Sequence, residues 1–243
     1  MIIYGINPVL EALKAGRVVR VRVGHRHDAR LQQVLTLAAS RHVPVDRIDS
    51  AALDRASGQG VHQGVIAELT PPRDFSLEEL VRGAAGPPLF VVLDGIEDPH
   101  NVGAIVRTVD AAGAHGVIRQ TRRAAALDAV AAKASAGAIA HVPIVDVVNI
   151  ARAIEELKAL NVWTVGLAGD AKQSYDAIDF TPPMAIVLGA EGSGLRRLVR
   201  ESCDFTASIP MAGRVESLNV SVAAGVVLFE AARQRRAVGG RDV

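Results

Sequence analysis

Short, continuously apolar runs alternate with amphipathic helix patterns in the second half of the chain, and this alternation restricts the fold more than any other feature. The run LFVVLDGI (89–96) begins with five apolar residues, as expected for a strand that is covered on both faces. A helix pattern follows, because Val102, Ile105, Val106 and Val109 are spaced three, one and three residues apart. Repeated units of this kind predict an α/β fold with a mostly parallel sheet and helices on both sides.

Further elements continue the same pattern towards the carboxyl terminus. An amphipathic helix is predicted at 149–160 and a final helix at 219–236, whose apolar residues form one stripe. Four more short strands are predicted in the segments GVIR (116–119), NVWTVGLAG (161–169), MAIVLGAEG (184–192) and FTASIPMAG (205–213).

A proline-rich stretch separates this region from a smaller one. Residues 69–88 contain two Pro-Pro pairs around a short polar helix candidate, which is typical of a linker. The residues before it alternate a strand pattern, a helix pattern and a second strand pattern, which indicates a small α/β module. We therefore predict an amino-terminal domain at 1–70, a linker at 71–86 and a larger domain at 87–243.

Composition narrows the class of protein. The chain has 243 residues, 49% of them hydrophobic, and no stretch reaches the roughly 20 apolar residues that a membrane span requires. The first residues lack the basic and apolar regions of a signal peptide. The single Cys203 cannot form an intrachain disulfide, and no Cys/His spacing suggests zinc. We expect a cytoplasmic protein with no membrane segment and no metal.

Basic residues are concentrated near the amino terminus, although the net charge is only +1. One acid, Asp28, lies among six cations: Lys14, Arg17, Arg20, Arg22, Arg26 and Arg30. This run is either a solvated face or a surface that contacts nucleic acid. Similarly, Arg122, Arg123 and Lys133 flank an alanine-rich segment that is either an RNA-facing loop or plain surface.

The glycine-rich segment LGAEGSGL (188–195) follows a predicted strand, as a phosphate-binding loop would. Its glycines are spaced three and then two residues apart, whereas the dinucleotide fingerprint has two and then three. Leu195 and Arg196 stand where a Walker loop has lysine and serine or threonine. A ligand-binding turn at the carboxyl end of a sheet and a tight structural turn both stay open.

Three polar side chains lie just before the final helix, at alternate positions. Ser217, Asn219 and Ser221 lead into the apolar run, where a side-chain oxygen can cap a free backbone N–H. Capping accounts for one such residue but not for all three.

Three ordered segments together resemble the motifs of the SpoU/TrmH branch of the SPOUT methyltransferases: DPHNVGAIVRT (98–108), IVLGAEGSGL (186–195) and IPMAGRVESLNVSVA (209–223). The resemblance implies methylation of RNA ribose 2′-hydroxyls with S-adenosylmethionine. It also implies a deep trefoil knot near the carboxyl terminus and a homodimer that forms through the knotted domain. The opening YGINPVLEALKAG (4–16) resembles the RNA-binding extension of some members.

The resemblance also assigns site residues. Those implied to be catalytic are Asn101, Arg107, Glu191, Ser217 and Asn219. Those implied to bind the cofactor, largely through their backbone, are Gly189, Ile209, Leu218, Gly166, Leu167 and Met211, with Ser221 near the cofactor wall. We expect Asn101 close to a helix N-cap and Glu191 to be an acceptor for Arg107 or the ribose. Arg107 is either a general base or a bidentate phosphate clamp, and guanidinium basicity weighs against the base.

The extended architecture is similar to that of members that modify a guanosine of 23S rRNA, which we take as the expected target. Two alternatives stay open. One is methylation of a tRNA guanosine, and the other is a non-catalytic RNA-binding or ribosome-assembly protein on the same fold.

Overall fold

The computed structural model describes residues 1–25, 29–70, 74–122 and 124–239, and it divides into two compact units. One unit comprises residues 1–73, 102–107 and 126–141, and the other comprises the remainder. Arg26 and Asp28 of the basic run, Arg123 and the last four residues lie outside the described residues. The predicted boundaries of domains and linker stay a prediction.

Within the first 70 residues, the described ones form seven elements, in chain order β1 (Ile2–Tyr4), α1 (Ile6–Lys14), β2 (Val18–Val23), α2 (Ala29–Ser40), β3 (Val45–Arg47), α3 (Ser50–Ala56) and β4 (Val65–Leu69). The sheet order is β1-β4-β2-β3, with β4 antiparallel to both of its neighbours and β3 parallel to β2. The strands β1 and β3 were not predicted, because three residues are too short to show a periodic pattern.

Part of the predicted basic run is paired within this sheet. Arg20 forms an ion pair of 2.7 Å with Asp46 on the adjacent β3, and Arg22 lies 3.8 Å from Glu68 on β4. Such cross-strand pairs are solvated and contribute little to stability. For these two arginines the structure favours the solvated face over a free cationic surface.

The elements that follow are, in chain order, α4 (Leu77–Arg82), β5 (Leu89–Asp94), α5 (Pro99–Ala111), β6 (Gly116–Gln120), α6 (Ala129–Ala134), β7 (Ile144–Val147), α7 (Ile150–Ala159), β8 (Trp163–Leu167), β9 (Gln173–Ser174), β10 (Met184–Gly189), α8 (Arg197–Ser202), β11 (Phe205–Ser208) and α9 (Val220–Gly239). Single 3-10 turns occupy Ala138–Ala140 and Tyr175–Ala177. The sequence patterns did not predict β7, β9, α6 or α8, all of which are short.

Seven parallel strands form the larger sheet in the order β7-β6-β5-β10-β8-β11-β9. Strand β5 is buried along its whole length, and the central strand β10 is buried except at its last residue. The predicted parallel α/β fold is therefore confirmed, whereas the trefoil knot stays a prediction. Among the helices of the described residues, none is long and apolar enough to cross a membrane.

Helix α4 packs into the core of this larger unit although it lies inside the predicted linker. The helix begins with a capping box. The Ser76 hydroxyl accepts a hydrogen bond from the backbone N–H of Glu79, and the Glu79 carboxylate accepts one from the backbone N–H of Ser76. Leu77 and Leu80 are buried in one cluster with Phe90, which is itself fully buried. Burial of each such side chain contributes about 2 kcal/mol.

The order of the strands determines where a site can form. Strands β5, β10, β8 and β11 are consecutive neighbours and all parallel, so their carboxyl ends share one edge of the sheet. The segments that follow Asp94, Gly189, Leu167 and Ser208 therefore meet at that edge. Open α/β sheets bind their ligands at this position.

Candidate active site

Asn101 lies in the first turn of α5 with its side chain turned inward. Asp98, not Asn101, is the N-cap, and its carboxylate accepts from the backbone N–H of His100 at 2.8 Å. Asn101 is the third residue of the helix, so it lies close to the N-cap without being the cap itself. Pro99 takes the first helical position, where a missing N–H costs nothing. Asn101 is left 7% exposed and free to bond elsewhere.

Asn101, Glu191 and Asn219 form one hydrogen-bonded group, which we call the amide–carboxylate cluster. The Nδ2 amides of Asn101 and Asn219 both donate to Oε1 of Glu191, at 3.1 and 2.6 Å. Asn219 Nδ2 also donates to Oδ1 of Asn101, at 3.0 Å. Three segments that are far apart in the chain therefore meet. The contacts determine the orientation of both amides, because each nitrogen faces an acceptor.

Asn219 belongs to this cluster and also precedes α9. Its Oδ1 accepts from the backbone N–H of Ser221 at 2.9 Å, the geometry of a helix cap, and from the Ser221 hydroxyl at 2.6 Å. Ser217 is exposed and lines the cavity described below. The three alternate polar residues thus have three different surroundings.

The turn that carries Glu191 depends on glycine. At Gly189 a Cβ atom would lie 2.2 to 2.4 Å from backbone atoms of Gly194 and Leu195, so no larger residue fits there. Gly192 and Gly194 have φ values of 77° and 65°, which favour glycine. The Gly194 N–H donates to the Ala190 carbonyl at 2.8 Å and closes the turn. The glycine spacing thus reflects a close backbone approach beside the cavity.

A cavity of about 590 Å³ opens next to the cluster. Segments after β8, β10 and β11 line it, together with the segment before α9. Five of the residues predicted to bind the cofactor lie on its wall: Leu167, Gly189, Ile209, Met211 and Leu218. Glu191 and Asn219 line it as well, so the cluster and the cavity share a wall.

Two of the predicted cofactor residues have other surroundings. Gly166 lies within β8, where a Cβ would come 2.7 Å from the Leu195 side chain and 3.2 Å from the Cys203 sulfur. The absence of a side chain at Gly166 thus leaves space for the side chains of Leu195 and Cys203. Ser221 donates to Asn219, as described above, and is not among the residues that line the cavity.

Arg107 follows Asn101 by six residues in α5. Six residues turn an α-helix by roughly 600°, so the two side chains leave the helix about 120° apart and about 9 Å along it. The Arg107 side chain is exposed and takes no part in the hydrogen bonds of the cluster. Glu191, which was expected to hold Arg107 or the ribose, instead accepts from the two amides.

The cavity rim contains an ion pair that the sequence patterns did not predict. Arg200 of α8 donates to Asp170, which follows β8, at 2.9 Å. This hydrogen bond lowers the pKa of the Asp170 carboxyl below its usual value. Both residues line the cavity. No pattern could have linked them, because they lie 30 residues apart on different elements.

In the described part of the chain, no group of three or more His, Cys, Asp or Glu side chains could hold a metal ion. The polar side chains that line the cavity include the carboxylates of Asp170, Glu191 and Glu216, the amide of Asn219 and the guanidinium of Arg200.

The parallel α/β sheet carries a polar cluster beside a ligand-sized cavity, and the comparisons with known proteins give the class of the protein as an RNA 2′-O-methyltransferase. The model of the SpoU rRNA Methylase family matches residues 88–229, and the model for RNA 2'-O ribose methyltransferase substrate binding matches residues 2–75. The chain belongs to the SpoU rRNA methylase family.

Several relatives are similar over nearly the whole chain. The chain is 47% identical over 240 residues to the 23S rRNA (guanosine-2'-O-)-methyltransferase RlmB of Pseudomonas putida, with 96% of each chain covered. It is 41% identical over 242 residues to the putative TrmH family tRNA/rRNA methyltransferase YacO of Bacillus subtilis, with 98% of this chain and 97% of YacO covered.

A solved structure extends the similarity to the fold. The SpoU methyltransferase AviRb of Streptomyces viridochromogenes, in complex with the cofactor AdoMet, matches with a TM-score of 0.84 and 27% identity. The match covers 98% of this chain and 91% of AviRb.

Proposed function

We propose that this protein transfers a methyl group from S-adenosylmethionine to the ribose 2′-hydroxyl of a guanosine in 23S rRNA. The observation that carries the proposal is the wall shared by the cavity and the amide–carboxylate cluster, which brings polar groups to the edge of a cofactor-sized space. The end-to-end similarity to RlmB of Pseudomonas putida supports the choice of 23S rRNA.

The cavity fits the proposed cofactor in size and chemistry. Its volume of about 590 Å³ lies within the range of small-molecule sites. Leu167, Ile209 and Leu218 offer apolar contacts for an adenine ring, and the glycine turn exposes backbone groups for its sugar. When bound there, S-adenosylmethionine supplies the methyl group on a sulfonium sulfur. The residues of the chain bind it, orient it and exclude water from it.

In the reaction the bond between sulfur and methyl breaks as the bond between O2′ and methyl forms. S-adenosylhomocysteine would be the product that leaves, and the 2′-hydroxyl proton would pass to Arg107 if that residue is the base, or to solvent water if it is the clamp. We assign Asn101, Glu191 and Asn219 to holding the acceptor ribose, because they form one preorganised polar group. Ser217, on the same wall, is assigned to the ribose as well.

Arg107 is the fifth assigned residue, and its exposed guanidinium has either of two roles. As a general base it would accept the ribose proton, which its high basicity opposes. As a clamp it would donate two hydrogen bonds to a phosphate beside the target ribose. The pH dependence of single-turnover rates separates the two, because only the base makes the rate rise with pH when chemistry is limiting.

We assign residues 1–70 to RNA binding, 71–86 to the linker and 87–243 to the methyltransferase domain. The match of residues 2–75 to a substrate-binding family model supports the first assignment. We also propose a homodimer through the second domain, where Val222 and Phe229 of α9 are 50% and 49% exposed. A second copy of the chain would cover these two exposed apolar side chains. The cytoplasm is the proposed compartment, because ribosomal RNA is the proposed substrate.

A tRNA guanosine is the second candidate target. The similarity to YacO, which is named as a putative TrmH family tRNA/rRNA methyltransferase, supports testing tRNA as a substrate. The same experiment also tests a third candidate function, that of a non-catalytic RNA-binding protein.

The experiment incubates the purified protein with labelled S-adenosylmethionine and either undermethylated 23S rRNA or bulk tRNA. We expect label at one guanosine 2′-hydroxyl of 23S rRNA, with the label lost in Arg107→Ala. A matched control is Arg152→Ala, since Arg152 has an 82% exposed side chain on α7. Label in tRNA alone would overturn the target. Tight cofactor binding without transfer to either RNA would overturn the enzymatic function.

A further inference from the structure

A buried carboxylate lies at the carboxyl end of β5, beside the start of the turn that carries Glu191. Asp94 is the last residue of β5, and its side chain is fully buried. Oδ2 accepts from the backbone N–H of Arg196 at 2.9 Å, and Oδ1 accepts from Nε of the same residue at 2.6 Å. Its partner lies 102 residues later in the chain. A buried charge needs such compensation, so Asp94 and Arg196 form one unit.

This unit holds both ends of the turn that carries Glu191. Gly189, at the start of the turn, is paired with Asp94 in the register of β5 and β10. Arg196, just after the turn, is bound to the carboxylate of the same Asp94. One residue thus contacts the turn at its entry through the backbone and at its exit through the side chain.

The guanidinium of Arg196 has a second anchor on the other neighbour of β5. Its Nη2 donates to Oε1 of Gln120, the last residue of β6, at 2.6 Å. The exit of the turn is therefore tied to two adjacent strand ends. A planar guanidinium can serve two acceptors at once, which a lysine cannot do with the same geometry.

Asp94 is also close in sequence to the other half of the cluster. The chain runs from Asp94 to Asn101 in seven residues, and Asn101 donates to Glu191 at 3.1 Å. A shift of the turn relative to the end of β5 would therefore change this distance directly. Displacement of a reacting group by about 1 Å can lower a rate about a hundredfold.

We propose that Asp94 is a positioning residue, which acts through Arg196 to hold Glu191 against Asn101 and Asn219. This inference rests on the proposed function, in which that cluster holds the acceptor ribose. Asp94 contacts neither cavity nor cluster directly, and its effect is transmitted by the turn 189–196.

The first test replaces Asp94 with asparagine in the full-length protein. Asp94→Asn keeps the size of the side chain but replaces one acceptor oxygen by an N–H₂ group, so Arg196 loses either its backbone N–H contact or its guanidinium contact, together with the charge that pairs with it. We expect kcat for RNA methylation to fall roughly tenfold to a hundredfold. Arg196→Lys, which retains the positive charge and the backbone N–H, should lose less activity than Asp94→Asn.

Asp204→Asn is the matched control for stability. Its carboxylate is 14% exposed and likewise accepts from a backbone N–H and a side chain, both of Thr164, at 2.9 and 2.7 Å. Asp204 directly precedes β11 and binds Thr164 near the amino-terminal end of β8, whereas the turn 189–196 follows the carboxyl end of β10. We expect a similar fall in Tm for Asp94→Asn and Asp204→Asn, but a fall in kcat only for the first. Equal kcat values in the two variants would overturn the proposal.

A double-mutant cycle with Glu191→Gln tests whether the effect passes through Glu191. If it does, Asp94→Asn lowers kcat by less than about twofold in the Glu191→Gln background. Full additivity of the two losses would overturn the proposal. The side-chain amide NMR signals of Asn101 and Asn219 give a second readout, which Asp94→Asn should shift and Asp204→Asn should not.

The cycle also separates this inference from the proposed function. If Glu191→Gln retains full kcat, the catalytic assignment of Glu191 fails, and the NMR signals then decide the positioning of the turn by themselves. If those signals are unchanged in Asp94→Asn, the positioning role fails whether or not the protein methylates RNA.

Discussion

The side-chain amide of Asn219 donates to the carboxylate of Glu191 across 2.6 Å, and this contact ties the start of α9 to the turn after β10. The same asparagine caps α9 through its oxygen. The Asn219 side chain therefore has two separable roles, because its nitrogen donates to Glu191 and its oxygen caps α9. A substitution that preserves only the oxygen can distinguish them.

Asn219→Asp is expected to lower kcat at least about a hundredfold with little change in Tm. Aspartate is an equally good N-cap, so the helix start is preserved. The new carboxylate removes both N–H donors and faces Glu191 with a like charge. Steady-state methylation assays and thermal unfolding check the two expectations. Asn149→Asp is the control, since Asn149 caps α7 by accepting from the Arg152 N–H far from the cluster, and its kcat should equal that of wild type.

Gly189→Ala is expected to weaken binding of S-adenosylmethionine at least about tenfold, because the added methyl would overlap backbone atoms and push the turn out of place. Isothermal titration calorimetry measures the change in Kd. Gly213→Ala is the matched control, since no atom lies within 4 Å of a Cβ at that position. Unchanged affinity in Gly189→Ala would contradict the close approach that the turn requires.

Arg235→Met is expected to lower the free energy of unfolding by roughly 3 kcal/mol. The half-buried guanidinium donates to four backbone carbonyls, those of Pro87, Pro88, Phe180 and Pro182. Methionine fills the space but donates to none of these oxygens, although that of Pro88 still accepts from the Met184 N–H. Chemical denaturation measures the loss. Arg236→Met, at the exposed neighbouring position, should change stability by less than about 0.5 kcal/mol.

The ion pair of Glu230 predicts a pH dependence of stability. Hydrogen bonds from Arg233 and Gln234 lower the pKa of the Glu230 carboxyl to about 2. Because this value lies below that of the unfolded chain, the stabilisation is complete above about pH 5 and is lost as the pH falls towards 2. Glu230→Gln should therefore lower Tm by about 2 °C at neutral pH, with the difference from wild type shrinking in acid.

Scanning calorimetry of wild type and Glu230→Gln between pH 2 and pH 7 measures this convergence. A Tm difference that stays constant down to pH 2, or that grows in acid, would contradict the expected sign.

Local patterns in the sequence were sufficient to predict the fold class. The apolar run at 89–96 and the helical spacing of Val102 and Ile105 show which residues of each segment are buried. The alternation of such segments was therefore enough to predict the parallel α/β sheet. Short elements such as β7 and α8 were not predicted, because four to six residues are too few to establish a period. The three motifs indicated the family, which the family models confirmed.

The contacts of the candidate site were decided by the tertiary structure. The sequence interpretation placed Asn101 near the N-cap and made Glu191 an acceptor for Arg107 or the ribose; the fold gives the cap itself to Asp98 and joins Glu191 to two amides. Nothing local links Asp94 to Arg196, which lie 102 residues apart. The physical reason is that a hydrogen bond depends on distances within a few tenths of an ångström. Those distances follow from the insertion of β10 between β5 and β8, which brings remote strand ends together.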